Sequence, residues 1–298
     1  MKVLNYGSLN YDNVYSMDHF VQPGETESSE SYGRGFGGKG LNQSIALAKA
    51  GADVYHAGKV GFDGQPFIDY LNEYHVNTSC LVKDEAVPTG HAIIQVSHAE
   101  NCIILYGGAN QAITEAEIDE VLSHFEEGDV LLLQNEINNM PYLMKKAYAK
   151  GMRIVFNTAP MNEKVYACPL ELVTLFIVNE TEGKGLAGVQ EGSYEEVLDV
   201  LTTKYPASSF VMTVGKDGSY YADMSQRIFQ KAFPVKAVDT TAAGDTFTGY
   251  YLAWRLEGND PGISMKAASL ASSLTVQKEG AAKSIPERSM VEELLKEN

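Results

Sequence analysis

The sequence predicts a three-layer α/β protein, in which a mostly parallel central sheet lies between helices on both sides. Strands and helices alternate from about residue 130 to residue 214, and the strands of this stretch are apolar on both faces. Such strands are typical of a parallel sheet covered by helices on each face. The chain has 298 residues, of which 44% are hydrophobic, and this suits one large domain spanning residues 1–298.

Local patterns place the individual elements. Gly51 and Gly151 end helices, and Thr114 with Glu117 forms a capping box that opens another. A polar turn at 98–101 between two β-rich runs indicates a hairpin. The predicted strands are 2–8, 54–60, 91–97, 102–106, 130–133, 154–157, 175–178, 210–214, 219–222 and 227–233. The predicted helices are 41–50, 66–74, 114–125, 141–150, 194–204, 244–257 and 263–277, and the last two close the chain.

One segment stands apart from this alternation. Residues 11–36 are polar, contain few apolar side chains and match the 88–106 hairpin in character. We predict that these two segments together form a small β-sheet lid over one end of the large domain.

Composition excludes several classes of protein. The net charge of −16 argues against nucleic acid or an anionic membrane as a partner. Neither a signal peptide nor a run of about 18 apolar residues is visible in the sequence. The widely spaced Cys80, Cys102 and Cys168 are typical of reduced thiols in a cytoplasmic protein. The histidines lack the spacing of a zinc site.

Residues 239–249, Asp-Thr-Thr-Ala-Ala-Gly-Asp-Thr-Phe-Thr-Gly, are the most informative stretch. They read as a loop that opens a helix, with Ala242, Ala243 and Gly244 in the first turn. Helix N-termini bind anions such as phosphate, and small side chains let a phosphate approach the backbone. Asp245 would lie beside that anion hole, where a carboxylate can accept a proton from an alcohol. The alternative is an ordinary helix start with an aspartate in its first turn.

The glycine-rich segment 33–40 nearly matches a phosphate-binding P-loop, but Gly40 stands where Ser or Thr should hold magnesium. The preceding residues are also too polar for a buried strand. We interpret the segment as a glycine turn that displays Lys39 and Asn42 towards a polar ligand near a helix N-terminus. The alternative is a glycine-rich loop with no catalytic role.

Polar residues follow several predicted strands, at the sheet edge where α/β proteins bind ligands. Asn10 and Asp12 come after the first strand and could hold adjacent sugar hydroxyls, or could form a plain turn. Glu136 follows strand 130–133 and could accept a hydroxyl hydrogen bond or cap a helix. Asn179 and Glu182 follow strand 175–178, where they could hold hydrated magnesium or cap a helix.

The segment from Thr213 to Gly218 links a buried strand to a predicted hairpin. Its glycines would let a nucleotide lie against the backbone. The alternative is a simple Lys-Asp-Gly turn.

The order of these motifs resembles the ribokinase family of carbohydrate kinases, also called the PfkB family, over essentially the whole chain. Two signatures carry the resemblance: Gly37-Gly-Lys-Gly-Leu-Asn-Gln43 near the start, and Asp239-Thr-Thr-Ala-Ala-Gly-Asp-Thr-Phe247 near the end. Further matches include Asn10-Tyr-Asp12, Gly108-Ala-Asn-Gln111, Gln134-Asn-Glu136 and Asn179-Glu-Thr-Glu182. The resemblance implies an ATP-dependent sugar kinase, with the 5-hydroxyl of D-ribose as the first expected acceptor.

The resemblance also assigns roles by position. Asp245 would be the catalytic base, and Ala242, Ala243 and Gly244 would form the anion hole. Sugar hydroxyls would be bound by Asn10, Asp12, Gly38, Lys39, Asn42 and Glu136, together with Asp245. The ATP site would include Asn179, Thr213, Gly215, Gly218 and Gly244, with Glu182 helping to hold magnesium-bound water. Ser269 falls where the family has an adenine-side contact, often Asn. A potassium ion would lie beside the anion hole, near Asp239, Thr241, Thr275, Lys278, Gly280 and Ser284. Family members also suggest a homodimer formed through the lid.

Departures from the family pattern leave the acceptor open. Leu41 and Ser44 replace the usual alanines of the first signature, and Tyr11 is larger than usual, so the sugar pocket could be narrowed or tilted. The alternatives are a kinase of this family for fructose, a keto-sugar acid or a nucleoside, and a non-catalytic sugar sensor on the same fold. A dinucleotide-dependent enzyme is a weaker alternative, because no Gly-x-Gly-x-x-Gly motif follows the first strand.

Overall fold

A computed structural model describes residues 1–98 and 100–297 of the chain. The strands within these ranges are β1 (Val3–Tyr6), β2 (Asn10–Ser16), β3 (Ser31–Gly37), β4 (Val54–Val60), β5 (Asn77–Lys83), β6 (Gly90–Ser97), β7 (Glu100–Tyr106), β8 (Val130–Gln134), β9 (Arg153–Asn157), β10 (Leu175–Asn179), β11 (Ser209–Thr213), β12 (Gly218–Ala222) and β13 (Arg227–Lys231). The α-helices are α1 (Lys39–Lys49), α2 (Gln65–Glu73), α3 (Glu115–Ser123), α4 (Met140–Ala149), α5 (Glu163–Tyr166), α6 (Glu180–Ala187), α7 (Tyr194–Lys204), α8 (Ala243–Leu256), α9 (Pro261–Thr275) and α10 (Arg288–Glu297). Short 3-10 turns cover Gly108–Gln111, Leu170–Leu172, Gly215–Asp217 and Ala282–Ser284.

The larger sheet has the strand order β13-β12-β11-β10-β9-β8-β1-β4-β5. Neighbouring strands from β11 through β5 are parallel, whereas β12 and β13 pair antiparallel at one end. This arrangement confirms the predicted three-layer α/β fold with a mostly parallel sheet.

Apolar packing on both faces explains why the central strands lack polar alternation. On β8, Val130 and Leu132 belong to the core cluster that contains α1, α8 and α9, whereas Leu131 and Leu133 belong to the cluster that contains α3, α4 and α7. Successive side chains of a strand point to opposite faces, so a strand buried on both sides needs an apolar residue at every position.

The smaller sheet has the order β3-β2-β6-β7, and only its β2–β6 pair is parallel. It is built from the two segments that the sequence assigned to a small sheet. Asn10 and Asp12 lie within β2, so the plain turn considered for them is wrong, and as residues two apart they share one face of the strand.

Several elements differ from the sequence predictions. Strand β5 was missed because it is an edge strand, with one residue buried in its seven. Helix α6 was missed because Gly183 and Gly185 lower its helical propensity. Helices α8 and α9 do not close the chain, since α10 follows them and packs Val291 into the core. Within the described ranges, none of the helices has the length and apolar character needed to cross a membrane.

Candidate active site

A cavity of about 210 Å³ opens at the carboxyl ends of β9, β10 and β11. Parallel strands end at the same edge of a sheet, so the residues that follow them converge there. The lining includes seven of the residues singled out in the sequence: Lys39, Asn179, Glu182, Thr213, Ala242, Gly244 and Asp245. It also includes Asn157, Ala159, Ile177, Val178, Thr240 and Thr248, which the sequence reasoning did not single out.

The N-terminus of α8 forms one wall of this cavity. Ala242 is the N-cap and has left-handed backbone angles (φ 60°, ψ 7°), a conformation that is unfavourable for a residue with a Cβ. Its strain turns the chain so that Gly244 and Asp245 face the cavity in the first turn. The N–H groups of a first turn have no intrahelical acceptors, so this wall offers donors and a partial positive charge to an anion.

Two carboxamides of α1 hold the Asp245 carboxylate. Asn42 Nδ2 donates to Oδ2 at 3.1 Å, and Gln43 Nε2 donates to Oδ1 at 2.9 Å. The sequence separates these partners by about 200 positions, and the contact arises because α1 packs directly against α8.

Lys39 lies among carboxylates. Burial disfavours its charge, but the nearby carboxylates of Asp245, Glu136 and Glu182 outweigh that effect and raise the pKa of Lys39. Lys39 is therefore a charged group with three carboxylates near it.

Glu136 connects β8 to the start of α1. Its carboxylate accepts hydrogen bonds from the Ser8 hydroxyl and, at 3.1 Å, from the backbone N–H of Lys39. Glu136 does cap a helix, but the helix is α1 rather than the one that follows it in sequence. Burial raises its pKa, and Lys39 partly offsets this rise.

Asn10 and Asp12 project from β2 towards the start of α1. The Asn110 amide donates to Asn10 Oδ1 at 2.8 Å. The amide hydrogens of Asn10 therefore remain to donate to a ligand. A Cβ on Gly37 would lie 2.0 Å from Asp12 Oδ2, so only glycine permits this carboxylate position. Burial raises the pKa of Asp12 to about 6, and the Glu136 carboxylate adds to the rise.

Gly38 makes the turn between β3 and α1. Its φ of 99° is a left-handed value, and a Cβ there would lie 2.8 Å from the carbonyl oxygen of Ser8. None of Asn10, Asp12, Gly38, Asn42 and Glu136 lines the 210 Å³ cavity. They are joined to it through the contacts of Asn42 with Asp245 and of Glu136 with Lys39.

Asn179 and Glu182 form a capping box at the start of α6. The Asn179 side chain accepts from the Glu182 N–H, and Glu182 accepts from the Asn179 N–H at 3.0 Å and its amide at 2.8 Å. Both residues also line the cavity, so the helix cap predicted for Asn179 is present and leaves both residues at the cavity wall. Burial raises the pKa of Glu182.

The remaining nucleotide candidates are placed differently. Thr213 lines the cavity, whereas Gly215, Gly218 and Ser269 do not. A Cβ on Gly218 would meet the carbonyl oxygen of Gln230 at 2.1 Å, so this glycine serves the pairing of β12 with β13. Gly215 faces open space, and Ser269 is buried on α9 with 8% of its surface exposed.

The six potassium candidates lie on segments next to α8. Asp239 Oδ1 accepts from the N–H and hydroxyl of Thr241, and Oδ2 accepts from the Gly280 N–H at 2.9 Å, so Asp239 ties two of these segments together. The hydroxyls of Thr275 and Ser284 are buried and bonded within the protein, and Lys278 is exposed.

Comparisons with known proteins identify the family. A family model described as "pfkB family carbohydrate kinase" matches residues 1–288. The chain belongs to this family of carbohydrate kinases. It is 35% identical to a ribokinase of Staphylococcus aureus over 96% of both chains, and 34% identical to a ribokinase of Bacillus subtilis over 97% of both. The solved structure of Arabidopsis thaliana ribokinase with ribose and ATP matches with a TM-score of 0.87 and 27% identity, covering 99% of this chain and 98% of that one.

Leu41 and Ser44, the residues that replace the usual alanines of the first pfkB family signature, do not contribute to the lining of the 210 Å³ cavity. Leu41 is wholly buried in the apolar core. Ser44 is also buried, where its hydroxyl accepts from Asn5 Nδ2 and contacts His56 Nδ1.

Sequence reasoning missed the groups that position the site rather than line it. Gln134 lies at the end of a strand, close to Glu136, and Gln43 lies inside the first signature. The sequence position of each residue could therefore have pointed to the site. The hydrogen bond between Gln43 and Gln134, which lie 91 positions apart, could not be predicted from the sequence.

Proposed function

We propose that this carbohydrate kinase transfers the γ-phosphate of ATP to the primary hydroxyl of D-ribose, giving ribose 5-phosphate and ADP. One observation carries the proposal: the Asp245 carboxylate lies in the first turn of α8, on a cavity shared with Lys39 and Glu182, and touches Asn42 on the other side. A base that borders an anion-binding wall and a set of hydroxyl-binding side chains suits phosphoryl transfer to an alcohol.

The sugar would be held next to the cavity, where Asn42 contacts Asp245 and Glu136 contacts Lys39. Asp12 and Glu136 would accept hydrogen bonds from its hydroxyls, while the Asn10 and Asn42 amides and Lys39 would donate to its oxygens. The backbone of Gly38 completes this set. Mixed donors and acceptors suit a polyol, because each hydroxyl both donates and accepts.

Asp245 accepts the proton of the primary hydroxyl as that oxygen attacks the γ-phosphorus in line. The N–H groups of Ala242, Ala243 and Gly244 stabilise the negative charge of the transferring phosphoryl group, and Lys39 adds a fixed positive charge. Small residues at these positions let the phosphate approach the helix backbone.

The nucleotide would lie along Asn179, Thr213, Gly215, Gly218 and Gly244, with Ser269 on the adenine side. Asn179 and Glu182 fit a hydrated Mg²⁺, because each offers oxygen ligands and the ion keeps most of its waters in such sites. When bound, Mg²⁺ neutralises phosphate charge. Here Glu182 fixes its own orientation through the capping box and supplies a carboxylate beside the cavity.

A potassium ion would be held by the segments that contain Asp239, Thr241, Thr275, Lys278, Gly280 and Ser284. Asp239 already ties the 239–241 segment to Gly280, and a cation bound to carbonyls between them would stiffen the loop that leads into α8. In this proposal the ion supports the anion hole and does not contact substrate.

Residues 1–298 act as one kinase domain, and the small sheet serves as its lid, from segments 11–36 and 88–106. Closure over bound sugar excludes water, which would otherwise compete as a phosphoryl acceptor. Two copies would associate through this lid. The three free cysteines fit the cytoplasm, and the net charge of −16 disfavours nucleic acid and anionic membranes.

The test is ADP release measured with D-ribose, D-fructose, a keto-sugar acid and a nucleoside, each with and without K⁺. We expect the highest kcat/KM with ribose and a higher rate with K⁺. A higher kcat/KM with another acceptor would reassign the substrate within the family. Calorimetric sugar binding without ADP release would instead favour a sensor.

The role of Asp245 is tested separately with the Asp245→Asn variant. The amide cannot accept the hydroxyl proton, so turnover should fall by ~10²-fold or more while sugar binding measured by calorimetry stays close to that of the wild type. Near-normal turnover would refute the assignment of the base.

A further inference from the structure

The base of the proposed reaction is held by a buried chain of carboxamides. We propose that Gln43, itself fixed by Gln134, is a positioning residue that sets the direction of the Asp245 carboxylate. This inference rests on the proposed function, in which Asp245 is the base. Neither glutamine lines the cavity, and both have 0% of their surface exposed.

The hydrogen bonds of Gln134 fix the orientation of Gln43. Gln134 Nε2 donates to Gln43 Oε1 at 2.7 Å and to Asn5 Oδ1 at 2.9 Å. A flipped Gln43 amide would place its Nε2 against the Gln134 donor and its oxygen against the Asp245 carboxylate. Both contacts would be repulsive, so the buried chain permits only the orientation in which Gln43 donates to Asp245.

Asn5 anchors the other end of the chain. Its Nδ2 donates to the Gly40 carbonyl and to Ser44 Oγ, both at 2.8 Å. The Ser44 hydroxyl also forms a hydrogen bond with His56 Nδ1 at 2.7 Å. Burial lowers the pKa of His56 to about 3, so this histidine is neutral and adds no charge to the buried chain.

The consequence for Asp245 is a carboxylate with one carboxamide donor on each oxygen. Asn42 belongs to the proposed sugar site, so its bond changes when a sugar enters. Gln43 faces the protein interior and keeps its bond, because its other partner is Gln134 on β8 of the central sheet. Gln43 therefore holds the Asp245 carboxylate in a fixed position relative to the central sheet. Loss of the Gln43 donor should misalign this proton acceptor.

The Gln43→Met variant tests this inference, since it keeps the length of the side chain and removes the donor. We expect kcat to fall by ~10- to 100-fold, with KM for sugar and for ATP within about threefold of wild type. Gln134→Met leaves Gln43 in place but unsupported, and kcat should fall by about 3- to 10-fold. This second variant serves if Gln43→Met does not fold.

The matched control is Ser208→Ala, which removes a buried hydroxyl hydrogen bond to the Val173 carbonyl far from the cavity. Its kcat should match the wild type even though its melting temperature falls. A double-mutant cycle completes the test: in the Asp245→Asn background, Gln43→Met should change kcat by less than about twofold, because no base remains to position.

The outcomes separate the two claims. Absence of ADP release from the wild type with every acceptor overturns the proposed function, and near-normal turnover in Asp245→Asn overturns the assignment of Asp245 as the base. A loss in Asp245→Asn combined with wild-type kcat in both folded glutamine variants overturns only the positioning role. An equal further loss from Gln43→Met in the Asp245→Asn background also overturns it, since that would be a general structural defect.

Discussion

Asp12, a residue of the proposed sugar site, lowers the stability of the folded protein when its buried carboxyl is charged. Burial raises its pKa from an ordinary value of 3.8 to about 6, with the Glu136 carboxylate adding to the rise. The folded protein therefore holds the Asp12 proton more tightly than the unfolded chain does. The contribution of this group to stability is largest below about pH 4 and is lost as the pH rises through about 6.

We predict that Asp12→Asn raises the melting temperature at pH 7.5 by about 2 °C or more, because an uncharged amide avoids the burial penalty. At pH 4 the gain should vanish, since wild-type Asp12 is then protonated. Thermal unfolding at both pH values checks this. The exposed Asp69→Asn is the control and should show no pH-dependent gain. Equal gains for Asp12→Asn at both pH values would contradict the argument.

The same carboxylate sets a pH dependence for sugar binding in the wild type. Below about pH 6 Asp12 takes up a proton and loses an acceptor for sugar hydroxyls, so KM for the sugar should rise as the pH falls through this value. In Asp12→Asn the KM should be higher at every pH and should lose this dependence. Initial rates measured at a series of pH values from about 5 to about 8, a range that spans the pKa of Asp12, provide the check.

At the scale of elements, the contact between α1 and α8 builds the centre of the site. A Cβ on Gly249 would lie 2.4 Å from Ala46 Cβ and 2.8 Å from the Leu47 nitrogen, so the two helices meet at backbone distance. Gly249 lies one turn beyond Asp245, and Ala46 one turn beyond Asn42. The close approach is what brings the carboxamides of α1 within hydrogen-bond distance of the base.

We predict that Gly249→Ala pushes the helices apart, lowers the free energy of unfolding by about 1–3 kcal/mol and reduces kcat. Gly244→Ala is the matched comparison, because a Cβ there meets nothing within 4 Å and Gly244 lines the cavity. It should keep the wild-type melting temperature and raise KM for ATP or lower kcat. Thermal unfolding and steady-state kinetics distinguish the two. A stable, fully active Gly249→Ala would contradict this account of the interface.

Elements buried on both faces were the ones that the sequence located best. Residues 130–133 and 175–178, which form most of β8 and β10, are apolar at every position, and that pattern is visible without a structure. Edge strand β5 and helix α10 bury little, so their patterns are weak. Asn179 and Thr213, which end β10 and β11, line the cavity, since parallel strands end at one edge of the sheet. The contact of Gln43 with Gln134 was not predictable, because carboxamides pair by tertiary geometry that no spacing encodes.

At the scale of the whole molecule, the smaller sheet leaves an apolar edge uncovered. Strand β7 is the last strand of this sheet, and Ile103, Ile104, Leu105 and Tyr106 are 54%, 60%, 51% and 49% exposed. An edge strand also presents unpaired N–H and C=O groups along its length. Four consecutive exposed apolar residues on such an edge form a surface that a second copy of the chain can cover on both faces.

We predict that the protein is a dimer through this edge, with a molar mass in solution of twice the 32.5 kDa of one chain. The double variant Ile104→Lys, Leu105→Lys places a charge on each face of β7, so it should shift the protein to monomers. Size-exclusion chromatography with light scattering gives the mass directly. Met224→Lys is the control, because Met224 is 64% exposed but lies between β12 and β13 in the larger sheet. A monomeric wild type, or a dimeric double variant, would contradict a dimer formed through this edge. If the small sheet is also the lid, the monomeric variant should release ADP without sugar faster than the dimer does, since an unsupported lid admits water to the phosphate.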